Sequence, residues 1–532
     1  MSKSAPLAIA ITIALLMCTG CAGGGTGTQN AFVPNASTAS TPPGTTSSTT
    51  ATGTTAAGSS TTSVPTGTST STSTPSASGP SSNSSSSGAP TTTVSAPNTP
   101  PVMVPATPTP SGSSGSGTTT PPPLIPTTTL AAETANNTSA APTFTLSSNN
   151  NATPGNVSQV NVHNLLYPGS TAKVYAHYLG WWMLTGGSHI HIGYDSATAA
   201  QAHAQISDMM NRGIDGLIVD WYGAGNTHID QATQFIKLDA ETRGGTFTFA
   251  IMEDQGAVRT CAYTAGCDVT QAVINDLNYI NTTYASSPAY MRVNGQPVIF
   301  TFDTENLPNI DWTTVTANLQ GNPKIVLRND QGFRISFTSG SYSWVPINKA
   351  NPDDWGQAYL DDFYATSRSY ASEQVYAGTW KGFNDTLASW TQDRIVNQNC
   401  GQTWISTFNE MNKYFSMSQQ PTAVQLVTWN DYEEGTEIET GIDNCVSVAG
   451  SVTGSMLDWS ISGGQENTID HYTIYISLDG QNLMKLADVN AGTHQADLSQ
   501  YVFAAGNYTL YVKAIGQPSM LNQMSAAIPY TR

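Results

Sequence analysis

Eight short apolar runs, most of them followed by a segment of helical character, constrain this chain more than any other feature of its sequence. They read as Lys173–Leu179, Gly216–Asp220, Phe247–Met252, Val298–Phe302, Lys324–Arg328, Tyr342–Val345, Gln374–Thr379 and Ala423–Trp429, with Tyr342–Val345 the poorest of the set. Strands that are apolar throughout belong in a parallel sheet covered by helices on both faces. Eight of them over about 260 residues predict a closed (β/α)8 barrel, here assigned to residues 159–445, rather than an open doubly wound sheet. No glycine-rich phosphate loop follows the first run, which argues against a dinucleotide-binding fold. In the first helical stretch Ala199, His203, Ile206, Met209 and Met210 share one face, and Asn211-Arg212-Gly213 reads as the stop.

The runs end in polar and aromatic residues. In a barrel all these ends meet on one face, where active sites are built. The first run leads into His177, Tyr178 and Trp181, the second into Asp220 and Trp221, and the third into Asp254. The fourth leads into Asp303, the fifth into Asp330, the seventh into Trp380 and the eighth into Trp429 and Asn430. Together they predict a cleft lined with carboxylates and indoles. Such a lining suits a neutral polysaccharide, because sugar rings stack on aromatic faces while carboxylates and amides take the hydroxyls.

Asp431 and Glu434 stand three residues apart directly after the eighth run. A helix starting there would turn both to one side and Glu433 elsewhere. Glu437, Glu439 and Asp443 follow closely, and packed carboxylates raise one another's pKa. Two carboxyl groups, one donating a proton and one activating water or attacking the sugar, are what glycosidic hydrolysis requires. Asp303 with Glu305 is a rival pair. His189 and His191 have metal-like spacing but no acidic partner nearby, so neither a metal nor a cofactor is expected.

Composition divides the rest. Only 10% of residues are charged, and between Ala22 and Ser158 the sole charged residue is Glu133. Residues 22–158 are Ser, Thr, Pro, Gly and Ala in the main and read as a disordered tether, with a root-mean-square reach of roughly 60–70 Å. Before it, Lys3 and the apolar run Ala5–Met17 have the form of an export signal, too short to span a bilayer comfortably. Cys261, Cys267, Cys400 and Cys445 suit an oxidising compartment; Cys261–Cys267 and Cys400–Cys445 are the favoured bridges among three connectivities. The net charge of −18 falls on the residues after the tether, since Lys3 and Glu133 cancel, and it argues against nucleic acid as a partner. Residues 446–532 change to period-two alternation and predict a small all-β sandwich with Trp459 in its core.

Some of these segments resemble known families. Thr19-Gly20-Cys21 resembles a bacterial lipoprotein signal, with Cys18 where that signal usually has Leu; this implies residues 1–21 as signal, lipidation of Cys21 and a membrane anchor at the cell envelope. Val174-Tyr175-Ala176-His177, Gly213-Ile214-Asp215-Gly216 and Trp429-Asn430-Asp431-Tyr432 with Glu434 resemble glycoside hydrolase family 71, the endo-1,3-α-glucanases, over Val174 to Cys445. That resemblance implies Asp431 as base and Glu434 as acid in an inverting reaction; separately, a monomer is expected. Glu433 stands where that family usually has Gly. Glu434-Gly435-Thr436-Glu437-Ile438-Glu439 is similar instead to family 99, the endo-α-mannosidases and endo-α-mannanases. Trp459, Tyr472-Thr473-Ile474-Tyr475 and Tyr508-Thr509-Leu510-Tyr511-Val512 resemble a fibronectin type III module.

Overall fold

The computed structural model describes residues 156–480 and 482–532. The signal segment, Cys21 and the tether up to residue 155 lie outside them. Eight parallel strands form the first body: β1 (Lys173–Leu179), β2 (Gly216–Trp221), β3 (Thr248–Asp254), β4 (Gln296–Phe302), β5 (Lys324–Arg328), β6 (Gly340–Tyr342), β7 (Gln374–Trp380) and β8 (Ala423–Val427). Each pairs with the next, and β8 returns to pair with β1, so the sheet closes as a (β/α)8 barrel. The apolar runs have their physical reason here. All six residues of β2 and all five of β8 are buried, one set of side chains filling the barrel and the other meeting the helices.

The outer helices are α1 (Ala199–Asn211), α2 (Thr227–Thr242), α3 (Val269–Tyr279), α4 (Trp312–Ala317), α5 (Gln357–Arg368) and α6 (Gln402–Tyr414). Thr198 caps α1 by accepting from the Gln201 N–H. Its buried face is Ala202, Gln205, Ile206 and Met209; Ala199 and His203, expected on that face, are exposed, and His203 pairs with Asp239 instead. The poor sixth run has a cause. The β5–β6 connection carries only a 3-10 turn, Asp330–Phe333, and β6 lies earlier than expected. At Gly340 the next strand comes so close that a Cβ would sit 2.1 Å from the Gln374 carbonyl oxygen, so the strand starts at a residue that no apolar pattern marks.

The C-terminal residues form two antiparallel sheets. One holds Ser447–Thr453, Met456–Ser462 and Gln495–Asp497; the other is built on Ile469–Ser477 and Asn507–Gly516. Trp459, Tyr472, Leu510 and Val512 lie in the core between them. This sandwich is packed onto the barrel. Met520 belongs to the barrel's own core, Ile442 and Leu521 exchange main-chain contacts (Leu521 N to Ile442 O, 2.9 Å), and the Trp404 indole donates to the Pro518 carbonyl at 3.1 Å. The same loop receives the N-terminal end. Val157 bridges Leu521, and Val157 and Ser158 are buried, so the folded part begins before residue 159.

Both favoured disulfides form, Cys261–Cys267 and Cys400–Cys445. The second ties the approach to α6 to the junction with the sandwich, across 45 residues. Replacing both of its cysteines by serine is expected to lower the unfolding free energy by about 2–4 kcal/mol, read from urea denaturation, with a loss roughly half as large for the seven-residue Cys261–Cys267 loop.

Candidate active site

The segment after β8 is a tight turn, and the helix expected there is absent. Local side chains organise it. Thr428 Oγ1 accepts from the Asp431 N–H at 2.9 Å and contacts Thr436 Oγ1 at 2.9 Å. Asp431 Oδ1 then accepts from the backbone N–H groups of Glu433 (3.1 Å) and Glu434 (2.9 Å). Its own carbonyl accepts from Thr436 N–H. Short polar side chains that bond to the backbone two or three residues ahead favour turns over helix continuation. Gly435 completes the bend at φ +59°, where a Cβ would lie 2.8 Å from the Asn384 carbonyl oxygen. Asn430 fastens the turn to the opposite edge of the seam. Its side chain accepts from Leu179 N–H at 2.8 Å and donates to the Leu179 carbonyl and the Tyr194 hydroxyl, both at 3.0 Å.

The turn brings Asp431 and Glu434 into an acidic cluster at the C-terminal ends of the strands. Asp220, Asp254 and Asp431 are buried and Glu434 is half-buried. Burial, then the charges of Asp254, Asp431 and Glu434, push Asp220 well above the usual carboxylate range. Burial, then Glu434, does the same to Asp431, against the pull of the backbone bond from Glu434. Burial raises Asp254 to about 7. Glu434 also rises to about 7 through burial, with Arg394 and Arg328 opposing and Asp385 and Asp254 reinforcing. The result is a cluster of four carboxyls, all raised and unable to ionise together, in which Asp254 and Glu434 exchange protons near neutrality, which is the equipment of acid–base catalysis. The rival pair is engaged elsewhere. Asp303 pairs with Arg328 through both oxygens (2.6 and 2.5 Å), and Glu305 accepts from Thr301 (3.0 Å) and Gln331 (2.6 Å).

Strand parity sorts the other expected lining residues. Neighbours on a strand point to opposite faces, so one of each pair enters the barrel and the other leaves it. Asp220 and Asp254 enter the cluster, and His177 lies inside the barrel, fully buried, with its Nε2 2.5 Å from Gln425 Oε1 and its ring edge-on to Trp344. Burial lowers His177 to about 4, so the ring is neutral. Tyr178 and Trp221 leave and are buried against the outer layer; Trp380, of the same parity as Tyr376, and Trp429, past the end of β8, are fully buried as well, which corrects the assignment of all four to the cleft. Trp221 donates to Asp230 and stacks on Tyr279, Trp380 donates to the Trp355 carbonyl, and Trp429 donates to Gln205 beneath the Arg212 guanidinium. Asn430 is a fully buried clamp and is likewise no cleft residue. Asp330 is taken by Arg334. Trp181 stays half-buried at the rim, stacked on His189 at 4.6 Å.

Several contributors were not singled out by sequence reasoning. Tyr222 bonds to Asp254, and Arg328 closes on Asp303; both follow directly from a strand-end rule applied one residue more widely. Arg394 and Asp385 come from a loop that carries no strand or helix signal. Glu433, pointing away from the cluster as expected, accepts from Ile190 N–H at 3.1 Å and lies 2.6 Å from His189 Nδ1. His191 instead faces the carbonyls of Met183 and Leu184, so the two histidines serve different contacts.

No protein-family model matches the chain, and no curated protein matches it. Among solved structures it is similar to the GH99 endo-alpha-mannosidase from Bacteroides thetaiotaomicron. In complex with Bis-Tris-propane that protein has 16% identity and a TM-score of 0.40, over 50% of this chain and 86% of that chain. A second structure of it gives 15% identity and a TM-score of 0.38, over 50% and 87%.

The cluster also sets how stability depends on pH. A carboxyl whose pKa is raised by folding binds its proton more tightly in the native state, so it lowers stability as pH rises from about 4 towards the folded value. For Asp254 and Glu434 that window ends near 7. Asp220→Asn is therefore expected to favour the fold more at pH 8 than at pH 4, measured by urea unfolding at the two pH values.

Proposed function

We propose that this chain is a glycoside hydrolase that cleaves α-linked neutral polysaccharide, with Asp431 and Glu434 as its catalytic pair. The observation that carries the reading is the turn after β8. It holds Asp431 by two backbone N–H groups and leaves Glu434, with a pKa near 7, half-open at the mouth of the barrel. Glu434 donates a proton to the leaving glycosidic oxygen. Asp431, oriented by its Oδ1 bonds, works as the base in the molecules where it has given up the proton that burial favours, its second oxygen taking no hydrogen bond among the described residues. Asp220 and Asp254 accept sugar hydroxyls, and Trp181 with Tyr222 supplies aromatic surface at the rim.

The substrate follows from the motif. Trp429-Asn430-Asp431-Tyr432 with Glu434 supports α-1,3-glucan as the first candidate. The continuation Glu434-Gly435-Thr436-Glu437-Ile438-Glu439 supports α-mannan as the second. The resemblance of residues 1–21 to a lipoprotein signal supports action at the cell envelope, where a lipid anchor at Cys21 would hold the enzyme through the tether read over residues 22–158.

Incubation of the full chain with α-1,3-glucan, α-mannan and β-glucans should release product from an α-linked substrate only. Asp431→Asn and Glu434→Gln should each lower kcat by about 10²–10⁴-fold while keeping the wild-type circular dichroism. Wild-type rates in both variants would falsify the site, and glycan binding without product on long incubation would make the chain a binding protein. Because Glu434 must carry its proton to act, kcat/KM should fall as pH rises past about 7. That limb should vanish in the residual activity of Glu434→Gln.

A further inference from the structure

Residues 383–396 form an arm between β7 and α6 that the catalytic reading leaves unused. Two short strands, Phe383–Asn384 and Ile395–Val396, pair antiparallel and close its neck. At its centre Asp385 is fully buried and accepts four hydrogen bonds: from Arg394 N–H (2.8 Å), Arg394 Nε (2.7 Å), Thr391 Oγ1 (3.1 Å) and Gln392 N–H (3.3 Å). One carboxylate thus fixes the shape of the whole loop. The arm is fastened to the catalytic turn, because the Asn384 N–H donates to the Glu434 carbonyl at 2.6 Å and Gly435 packs directly on Asn384.

Arg394 links the arm to the chemistry. It is only 8% exposed, and its guanidinium lies over Phe383 (5.1 Å) and Trp390 (5.7 Å). Its charge is the strongest acting on Glu434. The Nε is used by Asp385, while the terminal amino groups donate to no protein atom among the described residues. The amino groups are not sealed in: they reach solvent and are open to an acceptor there. Trp390 beside it is half-buried, so part of the indole is open. An indole face next to a fixed pair of N–H donors matches a sugar, whose C–H face stacks while adjacent hydroxyls accept.

We propose that the arm 383–396 forms a subsite for a neutral sugar residue beside the bond to be cleaved, with Trp390 as the stacking face and the Arg394 amino groups as hydroxyl donors. Its position relative to the scissile bond rests on the hydrolytic reading of Asp431 and Glu434; its capacity to bind sugar does not. Leu387, at 52% exposure, is on the same arm but outside this subsite.

The full chain is tested as wild type, Trp390→Ala, Trp390→Phe and Leu387→Ala. Oligosaccharides of α-1,3-glucan and α-mannan are titrated by calorimetry, and KM, kcat and product lengths are measured on the same sugars. Trp390→Ala should weaken binding and raise KM about tenfold, with a smaller change in kcat and a shifted product-length distribution. Trp390→Phe should recover most of the loss, and Leu387→Ala should behave as wild type. Wild-type affinity and products in Trp390→Ala would overturn the subsite. Sugar binding that needs Trp390 without any cleavage by the wild type would keep the subsite and remove the hydrolase reading. A wild type that binds neither sugar would remove both.

Discussion

The side-chain amide of Asn430 holds the two edges of the barrel seam together just above the last paired residues of β1 and β8. It takes both main-chain groups of Leu179 and the Tyr194 hydroxyl, so three of the four hydrogen bonds it can make are spent on position. The turn bearing Asp431 and Glu434 is thereby referred to β1 as well as to β8. A second network braces it from outside. The Arg212 guanidinium donates to the carbonyls of Ile438 (2.9 Å) and Glu439 (2.8 Å) while covering Trp429, and Glu439 accepts from Gln205, Tyr194 and Tyr432. Without these ties a cluster of mutually repelling carboxylates would push its own loop open.

That repulsion is the central energetic tension of the molecule. Four acids converge where burial already disfavours their charged forms, and Arg394 and Arg328 oppose it at Glu434. A fold selected for stability alone would place apolar residues there. Retaining the acids makes sense when proton transfer is the purpose, since a buried acid beside a fixed base is reactive for the same reason it is destabilising.

Much of the architecture was legible because barrel strands announce themselves by being apolar on both faces. Seven of the eight runs were found within a few residues; β6 was misplaced because its start is chosen by the close approach at Gly340, a contact with β7 and not a local pattern. The cleft was less legible for a different reason. A strand end has two faces, and a bare sequence of His177-Tyr178 or Asp220-Trp221 does not say which residue enters. Read by the burial preferences of side chains, the indoles belonged among the buried residues: Trp221, Trp380 and Trp429 each fill space against a helix or loop and find a partner for the indole N–H there. The turn after β8 defeated a helical reading since Thr428 and Asp431 satisfy the local N–H groups themselves.

The start of the described chain is tied to the loop that follows the strand Asn507–Gly516. Ser158 N–H donates to the Met520 carbonyl at 2.7 Å and Asn522 N–H to the Asn156 carbonyl at 2.6 Å, a short antiparallel bridge at Val157 and Leu521. A mechanical pull applied at Asn156 is met first by these bonds and by the sandwich loop behind them. The load path enters the structure beside Ile442 and the Cys400–Cys445 crosslink and does not run along β1. That entry point lies at the same end of the barrel as the mouth, since Trp404 bonds to Pro518 and Thr407 to the carbonyl of Trp380 at the end of β7, so a pull there loads the segment that leads back to the carboxylate turn.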